Sequence, residues 1–525
     1  MTTDDASLVR DLLRRLGNAG ALRNNALVAE MLPSLDVDDR RLCEEILSRV
    51  RRGVNALGER GGAGGILERE IVRRCDLERT DHKVVIADLG ISRRVFYYHR
   101  RRALRHLGEH LRGSSSFAVR KTTNLLDEFE IYVGRAASLA ALGNVKDATL
   151  AASRAEAVAA TPEQRVHASA LLAEYAAESG RVDGLADRLG RLENALTNIE
   201  RQSNSNNATA WLEGAHVASL LRWRIGADDP LPEMRTIATI ARSARNVDAA
   251  ALDARARFLL TYADFANVGG APVEARSVLD EAGAIVRHLD EPSLGLRVRL
   301  PIAEAVVSLA LLQPLSYAAD RAAAALDISV RHGLIPYALD ASAVLAMSEM
   351  ARGRAQAALD VVRSARSAAL SLGPHEAGQF FFLSAARVCA AAGALNDARD
   401  MLDLAERQIV SSGLLAATQQ FTRAVLTLAD GRPSSAAKYA TETMHLSGRY
   451  KHKRMEGRAL GIRAQALVAL GREREARNAS IDAISVLERY GTRHTLASAY
   501  ELSASLARET RYKRHAKELR SALSS

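Results

Sequence analysis

The stretch Gly393-Ala-Leu-Asn-Asp-Ala-Arg-Asp-Met-Leu-Asp-Leu-Ala405 decides the fold of this 525-residue chain. A glycine is followed by alanines five and twelve positions later, and both alanines lie on one face of an α-helix because seven residues separate them. Glycine adopts the left-handed conformation that ends helices, and small side chains let two helices cross closely. The stretch therefore predicts a helical hairpin, in which one helix ends at Gly393 and the next packs through Ala398 and Ala405.

The same spacing recurs along the chain about every 40 residues and marks about nine units. In partial copies, leucine or threonine replaces an alanine, or proline replaces the glycine. The other copies are Gly143/Ala148/Ala155, Gly180/Leu185, Gly226/Leu231, Gly270/Ala275/Ala282, Pro314/Ala319, Gly353/Ala358/Ala365, Gly431/Ala436/Thr443 and Gly471/Ala476/Ala483. One hairpin cannot bury its apolar face alone, whereas stacked hairpins share a continuous core. The repeats therefore predict a stack of helical hairpins.

The composition favours the same fold class. Apolar residues make up 48% of the chain, aromatic residues only 4% and charged residues 26%. Strands favour β-branched and aromatic side chains, whereas small apolar residues suit closely packed helices. We therefore expect an all-α protein, and more than one folding unit because the chain is too long for a single hydrophobic core.

The repeat spacing resembles the turn glycine and the two second-helix alanines of tetratricopeptide repeats, over residues 130–520. The period of about 40 residues is longer than the roughly 34 of that family, and most units lack its early tryptophan and terminal proline. The resemblance implies an α-solenoid of tetratricopeptide-like hairpins with longer helices. It also implies that the array binds a protein, a peptide or a second subunit.

A different pattern occupies residues 83–108, KVVIADLGISRRVFYYHRRRALRHLG. One short buried helix would contain Val84, Val85 and Leu89. Gly90 then permits a tight turn, and Ser92 is a good N-cap for a second helix that starts at Arg93. The segment therefore predicts a helix-turn-helix.

The second helix of this motif separates apolar from basic residues. Phe96, Ala103 and Leu107 share one face, whereas the arginines lie on the others. Between Arg93 and Arg112 there are seven arginines and one glutamate, and so much like charge repels itself unless a polyanion neutralises it. Arginine can fork onto guanine or phosphate. The predicted contacts to double-stranded DNA are Ser92, Arg93, Arg94, Tyr97, Tyr98, Arg100, Arg101, Arg102 and Arg105.

The Leu-Gly-Ile-Ser turn resembles bacterial helix-turn-helix regulators, most closely region 4 of sigma-70-type factors. Arg102, Ala103 and Leu107 match the spacing that follows the turn in that family. Ile86 departs from it, because a small residue usually stands at that position. The resemblance implies that the helix beginning after Ser92 enters the major groove of DNA.

These patterns predict three parts of the chain. Residues 1–112 form a helical DNA-binding domain, residues 113–116 a small, polar linker, and residues 117–525 the repeat solenoid. Gly61-Gly-Ala-Gly-Gly65 is predicted to be a flexible turn, since no phosphate-binding motif accompanies it.

Several classes of protein are disfavoured. Cys43, Cys75 and Cys389 are far apart, which predicts a reducing compartment and no disulfide framework. The acidic start of the chain is unlike a signal peptide, and the most apolar stretch, 300–312, is too short to span a bilayer, so a cytoplasmic protein without membrane contact is expected. Catalytic, phosphate-binding and nucleophile motifs are absent from the sequence, and we expect no enzyme and no cofactor.

The histidine cluster on the predicted helix and two basic clusters are further candidate sites. His99, His106 and His110 share one predicted helix but lack Cys or Asp partners, so solvated or phosphate-facing histidines are expected and no metal site. The clusters at 449–454 and 511–515 are interpreted as solvated turns, with a second nucleic-acid contact as the alternative. Trp211 and Trp223 are expected in the core of an atypical repeat.

The net charge of +10 and a pI near 9.7 favour an acidic partner. The leading hypothesis is a transcriptional regulator in which the N-terminal domain binds DNA and the repeats bind a protein or peptide. A homodimer is expected, since one recognition helix buries little surface and two half-sites supply more. The alternative is a scaffold or adaptor protein whose basic helix contacts a protein.

Overall fold

A computed structural model describes residues 5–16, 18–31, 39–59, 62–111, 126–179, 184–199, 205–226, 229–243, 249–311, 313–408, 413–490, 493–507 and 510–524. Every regular element among these residues is a helix, which confirms the all-α prediction. None of the described helices is both long and apolar enough to cross a membrane. The chain divides into two compact units, residues 1–142 and 143–525.

The first unit is a small helical bundle. Its helices are α1 (Asp5–Arg15), α2 (Ala19–Arg23), α3 (Ala26–Met31), α4 (Asp39–Glu59), α5 (Gly62–Val72), α6 (His82–Leu89), α7 (Arg93–Leu111) and α8 (Leu126–Ala141), and α5 continues into a π-helical turn, Arg73–Leu77. Helix α7 packs against α1, α4 and α5. The core lies between these helices and includes the fully buried Leu12, Ile46, Val50 and Leu107. It therefore fixes which face of α7 is turned inward.

The glycines at the start of α5 have a packing role that the sequence analysis missed. We predicted a flexible turn over 61–65, but α5 begins at Gly62 and includes Gly64 and Gly65. A Cβ atom on Gly65 would lie 2.6 Å from the backbone oxygen of Leu57 on α4. Because α4 and α5 approach this closely, the position has no room for a side chain.

The segment predicted to be a helix-turn-helix forms the helix pair α6 and α7. Gly90 ends α6 in the left-handed conformation with φ 63°, and the Ser92 hydroxyl accepts a hydrogen bond of 3.2 Å from the amide of Val95. Val85 and Phe96 are fully buried together against α5. Val84 was expected inside this helix pair, but 47% of it is exposed, because on so short a helix only the Val85 face meets the core.

Helix α8 belongs to the first unit. It packs on α5, and a Cβ atom on Gly134 would collide with the side chain of Ile66. The compact repeat unit therefore starts at Gly143, whereas the sequence placed the array from residue 117. The predicted linker at 113–116 lies outside the described residues.

The second unit is a series of helical hairpins. After α9 (Val145–Val158), the hairpins are α10 (Pro162–Glu178) with α11 (Leu185–Thr197), α12 (Ser205–Ile225) with α13 (Pro230–Ser243), α14 (Ala249–Val268) with α15 (Pro272–His288), α16 (Leu294–Ser308) with α17 (Leu315–His332), α18 (Ile335–Ala351) with α19 (Ala355–Leu372), α20 (Glu376–Ala391) with α21 (Leu395–Arg407), α22 (Gly413–Ala429) with α23 (Pro433–Arg449), α24 (Lys453–Ala469) with α25 (Glu473–Tyr490), and α26 (Arg493–Ala507) with α27 (Thr510–Ser524). We call the first helix of each hairpin its A helix and the second its B helix.

The turn glycines have the predicted role. Gly270, Gly353, Gly393, Gly431 and Gly471 all have φ between 71° and 89°. In each turn, the amide that follows the glycine donates to a carbonyl five residues earlier, at 2.7–2.9 Å. This bond pattern ends a helix and satisfies its last carbonyls. Gly180 lies outside the described residues.

The repeat alanines are buried in α9 and in the B helices. Fully buried members, each with 0% exposure, are Ala148, Ala155, Ala275, Ala282, Ala358, Ala398, Ala405, Ala436, Ala476 and Ala483. The hairpin of α26 and α27 was not predicted, because it has no glycine–alanine spacing. The alanine pattern therefore marks hairpins reliably where it occurs and misses one where it does not.

The A helices form the inner layer of the second unit. Among its described helices, the extensive contacts between helices that are not consecutive all join A helices, from α10 to α26. Two of these contacts span the array, since α12 meets α22 and α14 meets α24. A layer whose members pack more closely than their partners lies on the concave side of a helical stack. Side chains on the inner face of the A helices are therefore brought together from distant hairpins.

Enlarging a repeat alanine should destabilise the array. Ala358 is fully buried, whereas Ala357, its neighbour on the same helix, is exposed. Ala358→Leu should overpack a close helix crossing and lower the free energy of unfolding by about 1–3 kcal/mol. Ala357→Leu adds the same atoms on the solvent side and should be nearly neutral. Urea unfolding followed by circular dichroism compares the two, and equal midpoints would contradict burial of the repeat alanine.

Candidate functional site

Helix α7 and the residue that caps it, Ser92, carry the nine residues predicted to contact DNA. Seven of them have exposed side chains: Ser92, Arg93, Arg94, Tyr97, Tyr98, Arg101 and Arg105. They share a surface because Phe96, Ala103, Leu104 and Leu107 are buried on the opposite side of the helix. We call these seven residues the α7 surface. The structure places the remaining two arginines elsewhere.

Arg100 points into the first unit. Its Nη2 atom lies 2.5 Å from Oδ1 of Asp76, and its Nε donates to Oδ2 at 3.2 Å. Burial lowers the pKa of Arg100, but the hydrogen bond and charge of Asp76 outweigh this and raise it overall. This two-bond ion pair holds α7 on the turn that follows α5. The predicted DNA contact by Arg100 is therefore not compatible with this geometry.

Arg102 also faces inward, toward Glu68 on α5. The Glu68 side chain is 1% exposed and forms an ion pair with Arg102. Nδ1 of His106 lies 3.1 Å from Oε2 of Glu68, and Nδ1 of His99 lies 3.5 Å from Oε1. Burial raises the pKa of Glu68, but the bonds from His99, Arg102 and His106 lower it overall. The two histidines were expected to be solvated or to face phosphate, and instead they help to fix α7 on α5.

The α7 surface combines basic and aromatic groups. The guanidinium of Arg93 lies over the ring of Tyr97, 5.8 Å from its centroid. Tyr97 and Tyr98 are 42% and 60% exposed. Among the described residues, Arg93, Arg94 and Arg105 have no carboxylate within ion-pair distance. The surface therefore carries positive charge that the unit itself does not neutralise.

A second set of ionisable groups lies on the A helices of the repeat unit. Arg224 on α12 forms an ion pair of 2.6 Å with Glu376 on α20, although three hairpins lie between the two helices along the stack. Glu178 on α10 interacts electrostatically with both of them. Asp340 on α18 interacts with Glu376 and with Arg299 on α16. We call Glu178, Arg224, Asp264, Arg299, Asp340 and Glu376 the A-helix cluster.

Three carboxyl groups of this cluster have raised pKa values. Burial raises the pKa of Glu178 to about 8, and the charges of Glu174 and Glu376 act in the same direction. Burial likewise raises the pKa of Asp340 to about 7 and that of Asp264 to about 6. Oε2 of Glu178 is buried with no hydrogen-bond partner among the described residues. Acidic groups in this state favour a partner that donates hydrogen bonds or brings positive charge.

The basic segment 449–454 contributes to the same layer. Nε1 of Trp223 donates to the backbone oxygen of Tyr450 at 2.7 Å, and Nη1 of Arg454 donates to Oδ1 of Asn267 at 2.8 Å. The interpretation of this segment as a solvated turn was therefore wrong, because the stack brings α12 and α14 against it. Trp211 and Trp223 are buried, as predicted for core residues.

The A-helix charges have no pattern of their own in the sequence, because their helices are otherwise apolar. Asp264 is exposed but stands between buried residues, since 258–263 and Phe265 are buried, and Arg387 follows Phe381 and Phe382. A lone charged residue inside such a run is the signal that could have identified them. Among the described residues, no three His, Cys, Asp or Glu side chains are arranged to hold a metal ion.

Comparisons with known proteins complete this description. No family model and no curated protein matches the chain. A Rap protein, solved in complex with competence and sporulation factor, aligns with 69% of this chain and 100% of its own at 13% identity and a TM-score of 0.45. The APC/C hetero-tetramer Cut9–Hcn1 aligns over 98% of this chain and 98% of its own, at 13% identity and a TM-score of 0.42. Yeast Tom70 aligns over 84% of this chain and 96% of its own, at 13% identity and a TM-score of 0.37. These are helical-repeat proteins.

The raised acidic pKa values predict a pH-dependent stability. The folded chain retains protons on Asp340 and Glu178 that the unfolded chain loses near pH 4, so the free energy of unfolding should fall as pH rises from about 5 to 8. Asp340→Asn has no such proton to lose and should weaken this decline. Thermal unfolding of both proteins at pH 5 and pH 8 measures the loss of stability between these pH values.

Asp320→Asn provides the matched control, because Asp320 lies exposed on the B helix α17. The free energy of unfolding of this variant should fall with rising pH as it does in the wild type. If Asp340→Asn follows the same curve as Asp320→Asn, Asp340 does not keep its proton in the folded chain.

Proposed function

We propose that the repeat array binds a segment of a protein or peptide along the inner face of its A helices. The observation that carries this proposal is the A-helix cluster, in which ionisable groups from α10, α12, α14, α16, α18 and α20 are turned into a concave layer. Charged residues that only keep the protein in solution could lie on the exposed sides of the B helices and would not need to lie on the inner face of the A helices. The cluster therefore supports a recognition surface.

Energetics support the same proposal. A protein interior gains stability from apolar side chains, and ionisable groups removed from water lose hydration that only a partner can replace. Residues that reduce stability are typical of sites retained for function. Glu178 and Asp340 fit this description, since burial raises the pKa of each. A bound segment would supply the missing hydrogen-bond donors from its backbone and side chains.

Peptide selection tests the proposed function. The full chain is immobilised and exposed to a displayed library of random dodecapeptides. We expect enriched sequences that compete with one another for binding, and Asp340→Asn should weaken their affinity by about tenfold, the loss typical of one buried charged contact. Asp320→Asn should leave it unchanged. A library without enrichment, or equal losses in the two variants, would contradict binding at the A-helix cluster.

A second function is proposed for the first unit, namely binding of double-stranded DNA by the α7 surface. The observation in its favour is the division of α7 into a buried apolar side and an exposed basic, aromatic side directly after a helix-turn-helix turn. Arg93, Arg94 and Tyr97 occupy the first turns, where such helices reach base edges, and Arg101 and Arg105 lie further along, where they pass the backbone. Arg100 and Arg102 are not part of this proposal, because each forms an ion pair within the unit.

Together, the two proposals describe a regulator in which DNA binding and peptide binding belong to separate units. Two copies of the chain would bind two half-sites, since a single α7 buries little surface on DNA. If α7 instead contacts a protein, the chain is a scaffold or adaptor. DNA titrations distinguish these possibilities.

The DNA test compares Arg94→Ala with Arg105→Ala on selected and on random duplexes at several salt concentrations. Loss of Arg94, which is proposed to read a base, should weaken the binding free energy for selected DNA by about 1–3 kcal/mol. It should change the binding of random DNA little. Loss of Arg105 should weaken both equally and lower the salt slope by about one unit. Arg474→Ala, on the exposed side of α25, is the charge-matched control. If all three variants bind like the wild type, α7 is not a DNA-binding helix.

A further inference from the structure

Three arginines lie together on A helices, and one of them, Arg454, interacts with Asp264 of the A-helix cluster. Arg387 is on α20, and Arg454 and Arg458 are one helical turn apart on α24. Arg458 interacts repulsively with both Arg387 and Arg454. Helices α20 and α24 are separated by the A helix α22, so the guanidinium groups meet across its inner face.

Neutral groups hold Arg387 and Arg458 in place. Nη1 of Arg387 donates to Oγ1 of Thr422 on α22, and Nη2 donates to Oγ of Ser384, both at 3.0 Å. The ring of Phe421, also on α22, lies near both guanidinium groups, 4.6 Å from Arg458 and 6.0 Å from Arg387. These contacts orient the two cations but leave their charges uncompensated.

The charge balance around these arginines differs from that of the paired arginines on A helices. Arg224 forms an ion pair with Glu376, and Arg257 forms one with Glu213. Among the described residues, Arg387 and Arg458 have no carboxylate within ion-pair distance. Burial lowers the pKa of Arg387 to about 9, and the charge of Arg458 adds to this effect.

The third arginine is partly compensated. Arg454 donates to Asn267, and the charge of Asp264 favours its protonated form, although burial lowers its pKa to about 10 overall. Burial alone lowers the pKa of Arg458 to about 10. Arg387 and Arg458 are therefore the two cations that lack an acidic partner, with Phe421 between them.

A purely structural role explains this arrangement poorly. Two like charges that are partly removed from water repel each other, and apolar residues of similar volume would pack without that penalty. An oxyanion placed between the guanidinium groups would accept hydrogen bonds from both and remove the repulsion. Thr422 and Ser384 would then keep Arg387 oriented before the anion arrives.

We propose that Arg387, Arg458 and Phe421 form a subsite for an oxyanion carried by the bound peptide, either the carboxylate of an Asp or Glu side chain or a phosphate monoester. The inference rests on the proposed peptide binding and adds the chemistry of one position. The acidic A-helix cluster receives the donating parts of the segment, and this subsite receives an acidic residue.

The test repeats the dodecapeptide selection with the wild type, Arg387→Gln/Arg458→Gln and Arg474→Gln. Peptides selected by the wild type should be enriched in acidic residues, and the double variant should lose this enrichment. Synthetic versions of one selected peptide, with alanine, glutamate or phosphoserine at the enriched position, distinguish the two sources of the anion. Replacing the acid by alanine should weaken binding about tenfold in the wild type and not at all in the double variant.

Arg474→Gln removes the same charge from the exposed side of α25 and should behave like the wild type. Thermal unfolding of the unliganded proteins shows whether the double variant remains folded, and we expect its midpoint to be equal to or above that of the wild type. If the midpoint of the double variant is lower, Arg458→Lys is used in its place. This variant keeps the charge of Arg458 but not its planar guanidinium. It should weaken binding of the acidic peptide and leave binding of the alanine version unchanged.

Inorganic phosphate provides an independent readout. Its binding, followed by calorimetry, should depend on Arg387 and Arg458. If selected peptides bind without acidic preference and equally to the double variant, the subsite is refuted and peptide binding stands. If phosphate binds through these arginines but no peptide is selected, the anion site stands and the proposed peptide function fails. If neither ligand binds, both are refuted.

Discussion

The close approach of neighbouring helices in the repeat unit is the constraint on which the rest of its structure depends. Alanines with no exposed surface, such as Ala398 and Ala405, set the spacing of each B helix, and a left-handed glycine lets the chain reverse between helices. A larger side chain at these points would separate the hairpins and change how each A helix faces the next. The inner layer therefore inherits its geometry from small residues that themselves touch no ligand.

This geometry brings together residues that are distant in sequence. Arg224 reaches Glu376, and Trp223 reaches the backbone of Tyr450, because the stack curves until α12 meets α22. Such contacts close the array onto itself and place charged groups where water is scarce. The same closure raises the pKa of Glu178 and Asp340 and brings Arg387 and Arg458 together at Phe421, so the features that support ligand binding follow from the packing.

The fold was predictable from the sequence because its determinants are local. A glycine and an alanine five residues apart describe a helix end and a helix face, and the Leu-Gly-Ile-Ser turn with Phe96 describes a helix pair in the same way. The A-helix cluster was not predictable, since Asp264, Arg299 and Asp340 meet their neighbours only through curvature that accumulates over several hairpins. The glycines at 64 and 65 were misread for a similar reason, because a close helix crossing and a flexible turn both favour glycine.

The arginines of α7 show why charge density alone does not identify contacts. Adjacent arginines on a helix point about 100° apart, so the run from Arg100 to Arg102 must divide between faces. Asp76 and Glu68 meet the two that turn inward, and Arg101 remains on the exposed side. The inward pair fixes the rotation of α7 about its axis, and that rotation determines which arginines the α7 surface presents. Part of the basic character that suggests DNA binding is thus used to position the remainder.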